Sequence, residues 1–200
     1  MHLRPFVPFV AGVFLAAIPQ VALACSILKP VSNTDMVRDA EIIVRARALE
    51  YTRPPADPTA WTAGVPDSRV RFKIVEVIRG ARLPTVELPG YLSDLDDFND
   101  HSPPYTFVRP GGRAGSCFAN TYRAGAEFLL LMKSAPAGGY TVNWYALGPV
   151  NEQLHSDQDP WLVWVRKESA KSRQPNHEME PTRRLSSAIP SPRRAAHFER

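Results

Sequence analysis

Residues that carry catalysis are scarce in this chain. Between Cys25 and Val165 there are two histidines, His101 and His155, and no cysteine besides Cys25 and Cys117. Gly-x-Ser-x-Gly, His-Glu-x-x-His and phosphate-binding glycine loops do not occur. Ser116, beside Cys117, lacks the strand–turn–helix setting of a nucleophile elbow. These absences leave the common hydrolase and nucleotide-dependent classes without their machinery. They predict a protein that is not an enzyme and has no resident cofactor.

Long apolar runs are lacking too. The stretch from residue 6 to 18 contains Pro8 and ends at Pro19, short of the roughly 20 residues a membrane helix needs. No transmembrane segment is predicted in the mature chain. A basic surplus is also missing from the body. The formal net charge is +4, but residues 25 to 165 hold 14 Lys plus Arg against 16 Asp plus Glu. The positive charge sits in the last 35 residues, with 9 against 4. A near-neutral body carries no nucleic-acid footprint.

What is present at the start is a secretory signal. Arg4 precedes the apolar run, Pro19 breaks it, and Ala22-Leu23-Ala24 leads to Cys25. Small residues at both cleavage positions predict a signal peptide over residues 1–24, with Cys25 as the mature N-terminus. A secreted, periplasmic or extracellular location follows. The alternative is a lipoprotein signal, which also ends at cysteine and would anchor the chain in the envelope through acylated Cys25. That signal prefers a large aliphatic residue where Ala22 stands, and it would strand Cys117 as a lone thiol in an oxidising space. Two cysteines in an exported chain most simply form one bridge, Cys25 to Cys117. The closed loop of roughly 90 residues would contribute about 4 to 5 kcal/mol on the chain-entropy model.

Periodicity then orders the elements. Ser32 as a cap, with Met36, Val37 and Ala40 on one face, predicts a short helix over 32–40. Residues 41–51 alternate as a strand, and 53–67 form a loop with Pro54, Pro55, Pro58, Gly64 and Pro66. Residues 68–79 give the clearest strand. Its pattern slips near Val75 and Val77, as a bulge would make it. A shorter strand spans 85–88, and 90–116 is an irregular excursion. Phe128 to Met132 is apolar on both faces, so strand 127–133 is predicted to be covered on both sides. Gly138-Gly139 turns the chain into a strand over 140–147. Asp159-Pro160-Trp161 opens a final helix. Trp144, Tyr145, Trp161 and Trp164 are assigned to packing beneath that helix. Past Lys171 the apolar pattern stops, so 169–200 is predicted as a basic, disordered tail. The fold class is mainly β: a small five-stranded barrel with flanking N- and C-terminal helices.

Several segments together carry a family likeness. They are Cys25-Ser26 with Pro30, Asp39 to Ala46, Phe72 to Gly80, and Gly115-Ser116-Cys117 leading through Tyr122 to Gly125 into Glu127 to Leu131. In order and spacing they resemble the netrin-like module, and within it the N-terminal domain of the tissue inhibitors of metalloproteinases. The likeness spans residues 25–168. It implies an OB-type barrel and the Cys25–Cys117 bridge. It also implies a protein partner, with an extracytoplasmic metalloprotease as one version. There, Cys25 would chelate the protease zinc through its α-amine and carbonyl, with Ser26 and Gly115 to Cys117 as the contact edge. Two departures weaken inhibition more than fold. Ile27 stands where those inhibitors carry a second cysteine, and their cysteine-rich C-terminal subdomain is replaced by the basic tail.

One metal candidate stands apart. The loop Asp94, Asp96, Asp97, Asn99, Asp100 and His101 gathers oxygen and nitrogen ligands. Its spacing is not that of an EF-hand, which would need Gly and Glu where Asn99 and Tyr105 stand. A solvated polar loop is the simpler reading.

Overall fold

A computed structural model describes residues 30–57 and 65–172. The predicted signal peptide 1–24, Cys25, Ser26, residues 58–64 of the predicted loop and nearly all of the predicted tail lie outside the described residues. The chain is mainly β, with eight strands and three helices among the described residues.

Helix α1 (Asn33–Asp39) begins where Ser32 accepts from the Asp35 amide at 3.1 Å, satisfying one of the unpaired N–H groups of the first turn. It buries Met36 and Val37. Strand β1 (Ile42–Arg53) follows at once. Its inward Val44, Ala46 and Ala48 are fully buried, as alternation predicts, and two alanines let the neighbouring layers approach closely. β1 pairs antiparallel with β2 (Arg69–Arg79). The slip near Val75 is realised as register shifts. Arg45 faces Glu76 while Ala46 faces Ile74, so Val75 is an extra residue on β2. Val75 is accordingly exposed, and the bulge re-aims the strand.

β2 next pairs with β3 (Thr85–Pro89). The other edge of β1 takes β6 (Glu127–Ser134). Phe128 to Met132 have no exposed surface at all, so the strand is covered on both faces as predicted. Five such side chains contribute about 1.5–3 kcal/mol each through burial. Phe72, Tyr122 and Phe128 meet edge-to-face, with centroids 4.9 to 6.3 Å apart, the arrangement ring quadrupoles favour. Tyr122 lies on β5 (Thr121–Arg123), which pairs in parallel with β4 (Tyr91–Ser93) as a separate small sheet.

The far edge of β6 is shared. Its C-terminal half takes β7 (Tyr140–Val142), and its N-terminal half takes β8 (Asn151–Gln153). The strand expected over 140–147 therefore ends at Val142. The Trp144 amide turns back to the Val142 carbonyl at 2.8 Å, and Leu147 adopts φ +57°. Residues 144–149 leave the sheet between Asn143 and Val150, which both still bond Leu131 of β6 at 2.8 Å. The main sheet runs β3-β2-β1-β6-β7 with β8 beside β6. Its end strands β3 and β7 approach one another, and no ladder joins them among the described residues.

The expected excursion over 90–116 holds more structure than predicted: β4 and a one-turn helix, α2 (Pro110–Arg113). Helix α3 (Pro160–Lys171) starts as expected, with Asp159 accepting from the Trp161 amide at 2.9 Å and Pro160 opening the first turn. Trp161, Leu162 and Val165 are fully buried. Trp164 stacks on Trp161, centroids 5.1 Å apart, and Tyr105 packs on the same ring. Arg166 fixes the helix to β2 through Glu76, at 3.0 and 2.5 Å.

Candidate functional site

Of the predicted contact edge, Gly115, Ser116 and Cys117 lie among the described residues and form a turn with positive φ at two positions. Gly115 has φ +101° and Cys117 has φ +63°, a region L-residues rarely occupy. Gly115 is exposed, whereas Ser116 is buried and donates to the Phe118 carbonyl at 2.6 Å. That bond uses the Ser116 hydroxyl to hold the turn. Cys117 is disulfide-bonded. Its carbonyl accepts from the Leu147 amide at 2.8 Å, and Phe118 packs on Trp144 at 5.4 Å. This ridge at Gly115 to Cys117 and the 144–149 loop thus form one unit, although they lie about 30 residues apart in sequence. Beside them is a cavity of about 220 Å³, walled by Val31, Met36, Phe107, Tyr145 and Leu147.

The acidic loop is tied to arginines rather than gathered around a point. Asp94 is exposed. Asp96 bonds Arg123 at 2.6 Å and Gln153 at 2.5 Å, and these bonds hold its carboxyl below the usual range. Asp97 pairs with Arg109 and accepts from the Gly111 amide at 2.9 Å. Asp100 pairs with Arg113, which lowers its pKa, and lies 3.6 Å from His101. Asn99 is buried and its Oδ1 accepts from the His101 amide at 3.0 Å. No group of three or more His, Cys, Asp or Glu among the described residues is placed to hold a metal ion.

What the sequence did not foretell is the polar core beneath this loop. Arg109 and Glu152 are completely buried. The Arg109 guanidinium is used on every side. Nε donates to the Asn151 carbonyl at 3.1 Å, Nη2 to the Ala119 carbonyl at 2.8 Å, and Nη1 to Asp97. Its carbon sits 5.6 Å from the Tyr122 ring centre and 5.4 Å from that of Phe128, a cation–π arrangement. Glu152 accepts from Asn99 Nδ2 at 3.1 Å and from the Arg109 amide at 3.4 Å. Burial pushes its carboxyl up to about 7, against the opposing pull of Arg109. Two carboxylates around one arginine would leave a net negative charge underground. A proton on Glu152 makes the group neutral. Asn151, Glu152 and Gln153 form β8, and such a run reads as a surface turn. The one available hint was position, immediately after Gly148-Pro149 and before a helix cap.

His155 lies at the surface end of this region. Its Nδ1 is 3.1 Å from the buried Asp159 carboxylate, and Phe98 stacks on its ring at 4.0 Å. Nearby, Arg45 and Arg47 both bind Glu127, at 2.5 and 2.7 Å. Burial drives the Glu127 carboxyl up, but these two bonds outweigh it and hold it low.

No family model matches the chain, and no curated protein is significantly similar to it. No helix among the described residues is long and apolar enough to cross a membrane.

Proposed function

We propose that this chain is an exported, non-enzymatic protein-binding module of the netrin-like kind, built on an OB-type barrel. The observation that carries this reading is strand order. β1 lies between β2 and β6, while the end strands β3 and β7 approach each other, as closing a small barrel requires. Strands β1, β2, β3, β6 and β7 supply the five staves, with α1 and α3 as the flanking helices. The contact edge is assigned to Cys25 and Ser26, tethered beside Gly115, Ser116 and Cys117 through a Cys25–Cys117 bridge. The exposed Gly115 ridge and its apolar neighbour cavity support that assignment. Intact mass of the secreted product tests it. The expected species starts at Cys25, carries no lipid, and is about two daltons lighter than the reduced chain. A different start, or two free thiols, overturns it.

The disulfide-bonded state of Cys117 beside this ridge favours a second reading, inhibition of a zinc protease. A neutral α-amine and a carbonyl on Cys25 form a five-membered chelate, and the bridge lowers the ordering cost of presenting it. Inhibition by the processed protein should vanish when one alanine precedes Cys25, because the amine becomes an amide. A native form without effect at about micromolar concentration ends the inhibitor reading and leaves the general binding module standing.

A further inference from the structure

The open seam of the sheet carries a feature the contact edge does not use. Arg53 and Arg69 are directly opposed partners on β1 and β2, so their side chains share a face. Like charges in that register repel and destabilise the pair. Neither arginine has an ion pair among the described residues. Their neighbour Arg71 is compensated, lying 2.8 Å from Glu50 and 3.7 Å from Glu87. Two uncompensated cations therefore face each other beside a third that is already satisfied.

These residues line a groove of about 690 Å³, bounded by Thr52, Glu87 and Tyr140 and by the side-chain-free turn at Gly138 and Gly139. The Thr52 hydroxyl, next to Arg53 in sequence, is buried with no hydrogen-bond partner among the described residues. Unpaired buried hydroxyls are uncommon in folded proteins. The unrelieved repulsion between the arginines thus marks this wall.

We infer that this groove binds a small ligand bearing a phosphate monoester, with Arg53 and Arg69 clamping the phosphoryl oxygens. Guanidinium forks match such oxygens in geometry and charge. A phosphate monoester carries close to two negative charges at neutral pH, so it attracts the two arginines more strongly than a sulfate ester, which carries one. The groove is several times larger than the anion, so the carrier has room. Glu87 and Tyr140 offer an acceptor and a hydroxyl to a polyhydroxylated one such as a sugar.

Calorimetric titration of the full processed chain with glucose 6-phosphate, glucose 6-sulfate and glucose, at low salt, tests this. The phosphate ester should bind most tightly, the sulfate ester more weakly, and glucose without detectable heat. Arg53→Gln and Arg69→Gln should each weaken phosphate-ester binding by about tenfold or more. Both should melt at or above the parent's temperature, since each removes the repulsion. No phosphate-ester binding up to about 10 mM overturns the inference. So does equal or tighter binding of the sulfate ester, unchanged affinity in both variants, or affinity lost together with melting temperature.

Discussion

Asn99 Nδ2 donates to Glu152 Oε2 across 3.1 Å, joining the acidic loop to the strand that closes over β6. The same carboxylate accepts from the Arg109 backbone, and the Arg109 side chain reaches Asp97, Asn151 and Ala119. One arginine therefore satisfies three elements at once. Arg109→Met keeps much of the volume but leaves Asp97 and Glu152 without their cation. Loss of one member of a buried charged group costs about 3–5 kcal/mol, and urea unfolding should report that. Arg109→Lys should recover little, because a single ammonium cannot reach acceptors arranged around a planar fork. A loss below about 1 kcal/mol for Arg109→Met would show the network to be incidental.

Glu152 also sets a pH dependence of stability. Burial pushes its carboxyl up to about 7 in the folded chain, from the ordinary glutamate value of 4.5. Between those values the folded state holds a proton that the unfolded state has released, so stability falls as pH rises. The contribution is complete below about 4.5 and gone above about 7, with an upper bound of about 3 kcal/mol. Asp96 and Asp100 act with the opposite sign. Their pKa values are lowered by Arg123 and Arg113, so their contribution is present above the usual carboxylate range and lost as pH falls below it. These opposing effects meet between 3.8 and 4.5, the ordinary values of the two carboxyl types, where stability is expected to be greatest. Glu152→Gln should flatten the slope between 4.5 and 7 and raise stability at pH 8. An unchanged slope in that variant would assign the titration elsewhere.

Alternation and length made the long elements legible. β1, β2 and α3 each carry a burial period that matches their geometry, β6 is readable as an unbroken apolar run, and even the Val75 bulge left its mark as a phase slip. Of the short strands, β7 was legible by its start at Tyr140, though not by its end. β4, β5 and β8 were not: they have three residues each, too few to establish a period, and β8 is wholly polar. Its burial depends on Arg109 arriving from 42 positions away in sequence, which no local pattern can announce. The acidic loop shows the same limit. Asp96, Asp97 and Asp100 looked like ligands in a row because their arginine partners lie 12 to 27 positions further on. The ridge at Gly115 to Cys117 was visible as a motif. Its seat against Leu147 was not, since residues 143–147 continued an alternating strand on paper.

Gly80 and Gly125 separate two reasons for keeping a glycine. Both have positive φ, +93° and +78°. A Cβ on Gly80 would lie 2.8 Å from Ile42 Cγ1 and 2.9 Å from the Glu41 carbonyl oxygen, whereas one on Gly125 would meet nothing within 4 Å. Asparagine tolerates the left-handed region better than other side chains. Gly125→Asn should therefore cost under about 1 kcal/mol, and Gly80→Asn about 2 kcal/mol or more, because backbone must also give way. Chemical denaturation of the two variants compares them directly. Equal losses would mean that dihedral strain alone governs both turns.

The bond from the Leu147 amide to the Cys117 carbonyl gives the disulfide a local reporter. Reduction frees Cys117, whose φ of +63° is held by its surroundings rather than preferred. The ridge should relax toward ordinary backbone geometry and withdraw its carbonyl from Leu147. Hydrogen exchange at Leu147 should then quicken by about tenfold or more, while amides in the β6 ladder keep their protection, since local opening need not reach the core. Global stability should drop by about 2–5 kcal/mol as the unfolded chain regains its freedom. A global drop with no change at Leu147 would mean that the bridge acts on the unfolded state alone. The ridge would then be rigid through Phe118 and Trp144, and truncating Phe118 to alanine, not reduction, should expose the Leu147 amide.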